Sequence, residues 1–461
     1  MELKISHYLR VTPPIFDHKD KQLKLILFGT RKAEVRIIDK NTWDKINNHQ
    51  FEKVPTSIRD DLINAEILVQ KDEDELKTIL DQNDHACFNN KQLYLVVQPT
   101  AACQLGCQYC GQHHTSHMMS KKDQSLFMAR TEDKLKTKSY QHLEIGWFGA
   151  EPLLGIEVIR SFTPQLIDLA NQYGIGYNAK MATNGMLLDH EMATELVVNH
   201  KINRLDITLD GPPEYHDKRR YTKKGKSSFE TIFNNIIDLA KREDLEVKFT
   251  IRCNVDRRIR DGVIPLMQLL KEAGIHNRMS YLYFVLVHSW GNDADKDSPS
   301  KEEFAQWELE WFIKMLAMEF KVSLLPSRET ITCMALQPDS ELVDAYGNLF
   351  TCPEVSYVPS YEIPPGEISN ALTNIYSIGH VRTGEIKNRR NILGEFNQKI
   401  REGQYPCHTC SILPVCGGVC PKQWVEGDIP CPPIKFNLEE RLLVLYSLNR
   451  VDIRAFSKTT D

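Results

Sequence analysis

Leu93-Tyr94-Leu95-Val96-Val97, then Gln98-Pro99-Thr100-Ala101-Ala102, then Cys103-Gln104-Leu105-Gly106-Cys107-Gln108-Tyr109-Cys110 is the stretch from which the rest of the chain is read. Its first part is a short apolar run of the kind that forms a buried strand. Its last part places three cysteines, spaced C-x3-C-x2-C, in the loop that leaves this strand. Working outward, the strand signal recurs at Leu143–Phe148, Ala179–Ala182, Arg204–Leu209, Val247–Arg252 and Ser280–Leu286. Amphipathic segments separate these runs. The clearest carries Phe229, Ile232, Phe233, Ile236, Ile237 and Ala240 on one stripe of a 3.6-residue period. Ser227 and Glu230 stand at its start as a capping box. Six strand–helix repeats predict parallel βα units, two short of the eight that close a full barrel. The fold class is therefore α/β, a partial, TIM-like (β/α)6 barrel with its site at the C-terminal ends of the strands.

Composition narrows the chemistry. The chain has 461 residues, a net charge of -5 and twelve cysteines. A mildly acidic chain with no basic face argues against nucleic acid as a partner. The basic run Arg219–Lys226 lies in a polar stretch and is expected to be a solvated loop. The longest apolar stretch, Tyr281–Val287, is too short to span a bilayer, so no membrane role is expected. Met1–Arg10 lacks the basic-then-apolar pattern of a secretory signal, so a cytoplasmic location is expected. In that reducing compartment, clustered cysteines point to metal or catalysis before disulfides. Ten of the twelve are clustered: Cys103, Cys107 and Cys110, and seven between Cys333 and Cys431. Cys87 and Cys253 stand alone and are expected to be small buried hydrophobes.

Three thiolates hold three irons of a four-iron cluster and leave the fourth open to a small ligand. A zinc site wants four ligands; His113 and His114 are close enough in sequence to keep that alternative open here. The motifs after the other strands add weight to the cluster. They are Gly149-Ala150-Glu151-Pro152, Thr183-Asn184-Gly185, and Thr208-Leu209-Asp210-Gly211 followed by His216 and Arg220. Taken alone, each is a common turn.

One motif per strand end, in this order, resembles the radical S-adenosylmethionine (SAM) superfamily. The resemblance implies a [4Fe–4S] cluster on Cys103, Cys107 and Cys110, with SAM on the open iron. It implies SAM contacts from Gly149, Ala150, Glu151, Asn184, Thr208 and Arg220. Thr208 stands where that family usually has Ser, and both offer a hydroxyl. The implied chemistry is reductive cleavage of SAM to a 5'-deoxyadenosyl radical, which abstracts hydrogen from an unactivated C–H bond.

The C-terminal pattern is C-x13-G-x4-C from Cys333 through Gly347 to Cys352, then Cys407-x2-Cys410-x5-Cys416-x3-Cys420, then Cys431. Spacing alone also admits a zinc ribbon. The series is similar to the SPASM extension of radical SAM enzymes. That resemblance implies one auxiliary [4Fe–4S] cluster on Cys407, Cys410, Cys416 and Cys431, and a second on Cys333, Cys352 and Cys420, three clusters in all. Ser327 stands where some relatives carry an eighth cysteine, so the second auxiliary cluster is expected to have an open iron.

Three units follow: 1–90, a winged-helix-like, peptide-recognition-like module; 91–320, the radical SAM core; and 321–461, the SPASM unit. In the first, strands are expected at Leu23–Phe28, Glu34–Ile38 and Ile67–Val69, and helices at Thr42–Asn48, Ser57–Asn64 and Asp74–Gln82. The resemblance favours a peptide maturase, an oxidoreductase that crosslinks or otherwise modifies side chains of a ribosomally made precursor through thioether or carbon–carbon bonds. Its partners would be the precursor peptide and a flavodoxin- or ferredoxin-like reductant. A formylglycine-forming sulfatase maturase is the alternative; in that branch Asp follows the second auxiliary cysteine, and here Pro353 does, with Glu354 next. A peptide-binding iron–sulfur adaptor is the non-enzymatic alternative. Asp210 is the candidate to orient substrate or take a proton, and His288 and Trp290, beyond the sixth strand, are candidate substrate contacts.

Overall fold

The computed structural model describes residues 2–363, 374–385 and 391–448; Met1 and the end of the expected 321–461 unit lie outside them. All six expected barrel strands form, at Gln92–Val97, His142–Trp147, Gly176–Thr183, Ile202–Thr208, Lys248–Val255 and Tyr281–Leu286. They pair in parallel in chain order. Their register puts Val97, Trp147 and Met181 side by side, and Thr208 beside Arg252 beside Tyr283. The C-terminal ends therefore lie along one rim. Helices Lys121–Thr137, Ile156–Gln172, His190–Val198, Phe229–Lys241, Val263–Glu272 and Lys301–Ala317 are the other half of the repeats. Trp147, Phe162, Ile207, Ile232 and Leu266 are fully buried in the core between sheet and helices.

The sheet extends beyond the barrel. Glu341–Val343 pairs in parallel with the first barrel strand, and Asn348–Phe350, Gly379–His380 and Gly384–Glu385 follow antiparallel, making ten strands. These strands are two or three residues long. Such runs are too short for a periodicity signal, yet they cover an edge that would otherwise be left open. The capping box at Ser227 is also corrected. The helix begins one residue later, with Ser228 at its cap and no side-chain cap bond. Asp217 caps it instead, its Oδ1 accepting from the backbone N–H groups of Ser228 (2.8 Å) and Phe229 (2.9 Å).

Residues 3–88 form an antiparallel sheet with helices. Gln22–Gly29 is its centre, flanked on one side by Leu9–Val11 and Ile15–Asp17 and on the other by Glu34–Asp39. Helices Lys40–Asn47 and Thr56–Asn64 follow, and Leu68–Gln70 pairs with Leu3–Ile5. The helix expected to end at Gln82 continues to Phe88. One sheet face buries Leu27 against Ile46, Leu62 and Ile67. The other buries Ile26 and Phe28 against Ile412, Val415, Ile434, Leu438 and Leu442. Far from standing apart, the unit thus rests on the last part of the chain. Among the described residues no helix is long and apolar enough to cross a membrane.

Replacing Trp147, which has no exposed surface and meets Phe162 edge-on, by Ala leaves a large cavity under the second strand. The expected loss is about 3–5 kcal/mol of unfolding free energy, measured by denaturant titration.

Candidate active site and cysteine sites

The loop carrying Cys103, Cys107 and Cys110 is held from outside by the segment that begins at Arg219. Gly106 N–H donates to Tyr221 O (2.8 Å), Gln108 N–H to Arg219 O (2.9 Å), and Lys223 N–H to Gln104 O (2.8 Å). From inside it is held through Tyr109. The Tyr109 hydroxyl donates to Asp210 Oδ2 (2.7 Å) and accepts from Asn254 Nδ2 (3.0 Å) and from Arg220. Asp210 has no exposed surface, and its Oδ1 accepts from Asn254 N–H at 2.8 Å. Burial opposes its charge, yet Arg220 and Arg219 hold its carboxyl below the usual carboxylate range. The geometry thus makes Asp210 a positioning residue for the cysteine loop. His216 extends the network, its Nδ1 accepting from Asp210 N–H (3.1 Å).

The next rim segment is built around Glu151. Gly149 and Ala150 both have positive φ, +81° and +24°. A Cβ at Gly149 would lie 2.6 Å from the Gln98 side chain, so only glycine fits there. The turn delivers Glu151 into full burial, where its carboxylate accepts from Leu153 N–H (3.0 Å), Thr183 Oγ1 (2.8 Å) and Asn184 N–H (2.7 Å). Burial pushes its pKa up, and these donors oppose that. Asn184 in turn donates to Gln104 Oε1 (3.2 Å) and lies 3.9 Å from Cys103 Sγ. The expected residues Gly149, Ala150, Glu151, Asn184, Thr208 and Arg220 therefore all sit along the rim that carries the three cysteines.

Burial pushes the Cys103 thiol up to about 12 and raises Cys107 and Cys110 as well. Thiols in this state ionise only beside positive charge. Arg220 offers one charge close to Cys107. A multivalent metal cluster would supply the rest, so the donor set fits the group the resemblance implies. His114 Nε2 lies 3.9 Å from Cys110 Sγ, and burial lowers its pKa to about 4, leaving it neutral.

Four of the seven C-terminal cysteines share one pocket. Cys407, Cys410, Cys416 and Cys431 line it together with Trp424 and Lys435. Burial pushes the Cys407 and Cys416 thiols up to about 12. Cys333, Cys352 and Cys420, the second set expected from sequence, are each raised mainly by burial, with Cys352 feeling the charges of both others. Glu354 lies within charge range of all three. Burial opposes its ionisation, but contact with His288, at 3.4 Å, holds its carboxyl down at about 2. His288 also stacks on Trp290. Ser327 is exposed, in a segment bonded to Pro414 through Arg328 and Glu329. Cys87 and Cys253 are buried, as expected.

Tyr109, Gln98, Asn254 and Lys435 were not singled out from sequence. Tyr109 alone carried a signal, as an aromatic inside a cysteine motif. The others become visible only once distant strands share a rim.

The site is thus a parallel half-barrel with three half-buried thiols and a tied set of turns at its strand ends. Residues 97–289, which include the three-cysteine loop and the other rim motifs, match the family model described as the radical SAM superfamily. The chain is similar to a serine-type anaerobic sulfatase-maturating enzyme of Bacteroides thetaiotaomicron, 23% identical over 370 residues that cover 72% of this chain and 83% of the relative. A cysteine-type anaerobic sulfatase-maturating enzyme of Clostridium novyi is 25% identical over 176 residues, 37% of this chain and 46% of the relative. Among solved structures, histidine-tagged anSMEcpe with bound AdoMet shares the fold at a TM-score of 0.56 and 18% identity, covering 80% of this chain and 98% of that one.

Tyr109→Phe removes one hydroxyl from three buried partners, Asp210, Arg220 and Asn254. The expected cost is about 1–3 kcal/mol, with faster loss of iron from the three-cysteine site to a mild chelator. Denaturation and timed iron release measure the two.

Proposed function

We propose that this chain is a radical SAM maturase that modifies side chains of a ribosomally made precursor peptide, forming a thioether or carbon–carbon crosslink. One observation carries the peptide part. Strand Glu34–Asp39 pairs with Gln22–Gly29 along one side and, among the described residues, with no strand along the other. A peptide recognises such an edge by adding a strand, with backbone bonds for affinity and side-chain contacts for choice. Ile37, 37% exposed on that strand, is a ready contact. The names of the sulfatase-maturating relatives also point to a protein substrate.

Cys103, Cys107 and Cys110 would hold a [4Fe–4S] cluster, and Gly149, Ala150, Glu151, Asn184, Thr208 and Arg220 would line the SAM site. Bound together, these groups supply hydrogen-atom abstraction from an unactivated carbon. The protein's own share is orientation. Glu151 locks three rim segments, and Tyr109 with Asp210 fixes the cysteine loop. The loop after Cys352 closes over the rim: Gln98 Nε2 donates to Pro353 O (3.3 Å), and His113 N–H donates to Tyr357 O (2.6 Å). His288, Trp290 and Glu354 would then form the wall that faces substrate. Two further [4Fe–4S] clusters, in a SPASM arrangement on Cys407, Cys410, Cys416 and Cys431 and on Cys333, Cys352 and Cys420, would carry electrons to or from a flavodoxin- or ferredoxin-like protein. Formylglycine formation is the second reading, favoured by the Bacteroides relative matched over most of its length.

The test is anaerobic incubation of reduced, cluster-loaded protein with SAM and a short peptide encoded beside this gene. Release of 5'-deoxyadenosine, with loss of two hydrogens from the peptide and a new intrapeptide bond, is the expected result. An aldehyde in a sulfatase peptide would instead establish the second reading, and no 5'-deoxyadenosine from well-loaded protein would overturn both. Ile37→Lys is expected to weaken peptide binding by about tenfold, read by fluorescence anisotropy of a labelled peptide.

A further inference from the structure

Twelve residues line the cavity of Cys407, Cys410, Cys416 and Cys431, and apart from the cysteines Lys435 is the one with an ionisable side chain. Its ammonium donates to Cys431 Sγ at 3.3 Å. A second donor serves another corner, Gly418 N–H reaching Cys416 Sγ at 3.4 Å. Among the described residues no carboxylate lines this cavity. The neighbouring set also has a backbone donor, Ala335 N–H to Cys333 Sγ at 3.5 Å, but adds an anion. Glu354 lies in charge range of Cys333, Cys352 and Cys420. The cation nearby, Lys422, is bonded to Glu426 (3.0 Å) and Tyr361 (3.1 Å).

A four-iron cluster on four thiolates is an anion, and reduction adds one more negative charge. A cation fixed at a ligating sulfur therefore stabilises the reduced form more than the oxidised form, and hydrogen bonds to sulfur act in the same direction. We propose that Lys435 sets the redox potential of the four-cysteine cluster, raising it above the value its four thiolates alone would give. This rests on the two auxiliary clusters proposed above. The step concerned is transfer of one electron from a low-potential flavodoxin- or ferredoxin-class donor to the oxidised cluster, with no bond made or broken.

The test is an anaerobic potentiometric titration of the full, cluster-loaded chain, followed by electron paramagnetic resonance, on wild type, Lys435→Met and Lys435→Arg. Iron and sulfide are counted first. About twelve irons per chain are expected, and a count near four would overturn the auxiliary clusters themselves. With the count satisfied, one cluster signal should move to lower potential in the Met variant, stay in place in the Arg variant, and leave the other two signals unmoved. Three unmoved potentials in a fully loaded Met variant would overturn the role of Lys435. If the Met variant loses iron, Lys435→Gln, which keeps a donor and removes the charge, decides it: a lowered potential supports the proposal and an unchanged one overturns it.

Discussion

Eight sulfur atoms sit in sites where burial disfavours the thiolate, and this constraint shapes both ends of the molecule. Burial holds these thiols toward their protonated form, most strongly at Cys103, Cys352, Cys407 and Cys416. Each set is therefore a socket that is electrostatically incomplete until something positive fills it. The protein supplies part of that charge itself, with Arg220 beside Cys107 and Lys435 at Cys431. The remaining architecture can be understood as what keeps the sockets open and correctly spaced.

At the barrel rim this is done with buried polar bonds in place of a hydrophobic plug. Glu151 draws three segments together, and Tyr109 ties the cysteine loop to Asp210, Arg220 and Asn254 on two different strand ends. Such networks are unforgiving, because a lost partner leaves a buried group unpaired. They also explain why the rim motifs stand in strict order along the chain, since each contributes a bond that its neighbour needs.

Much of this was legible in the sequence. The six barrel strands followed from local apolar runs, and the clustering of ten cysteines from their spacing, both of which survive in a one-dimensional string. What was not legible depends on distance in space. Glu341–Val343 is too short to announce itself and becomes a strand only because the edge of Gln92–Val97 is beside it. The capping box at Ser227 failed because Asp217, in the short helix Pro213–Arg219, reached the two free N–H groups first. Asp210 has the residue type of a proton acceptor, and only its partners show that its oxygens are engaged. Lys435 follows Cys431 by four residues with no pattern to mark it.

The docking of residues 3–88 has a consequence for synthesis. Ile26 and Phe28 are buried by Ile434, Leu438 and Leu442, Arg10 pairs with Glu439, and Tyr446 donates to Asp17. Arg10 and Glu439 lie 429 residues apart. At translation speeds of about 5–20 residues per second, an emerging N-terminal sheet waits roughly 20–90 s with one apolar face uncovered. During that interval Ile26 and Phe28 are a sticky surface on a nascent chain, and chaperone supply during translation becomes part of what sets the yield of folded protein.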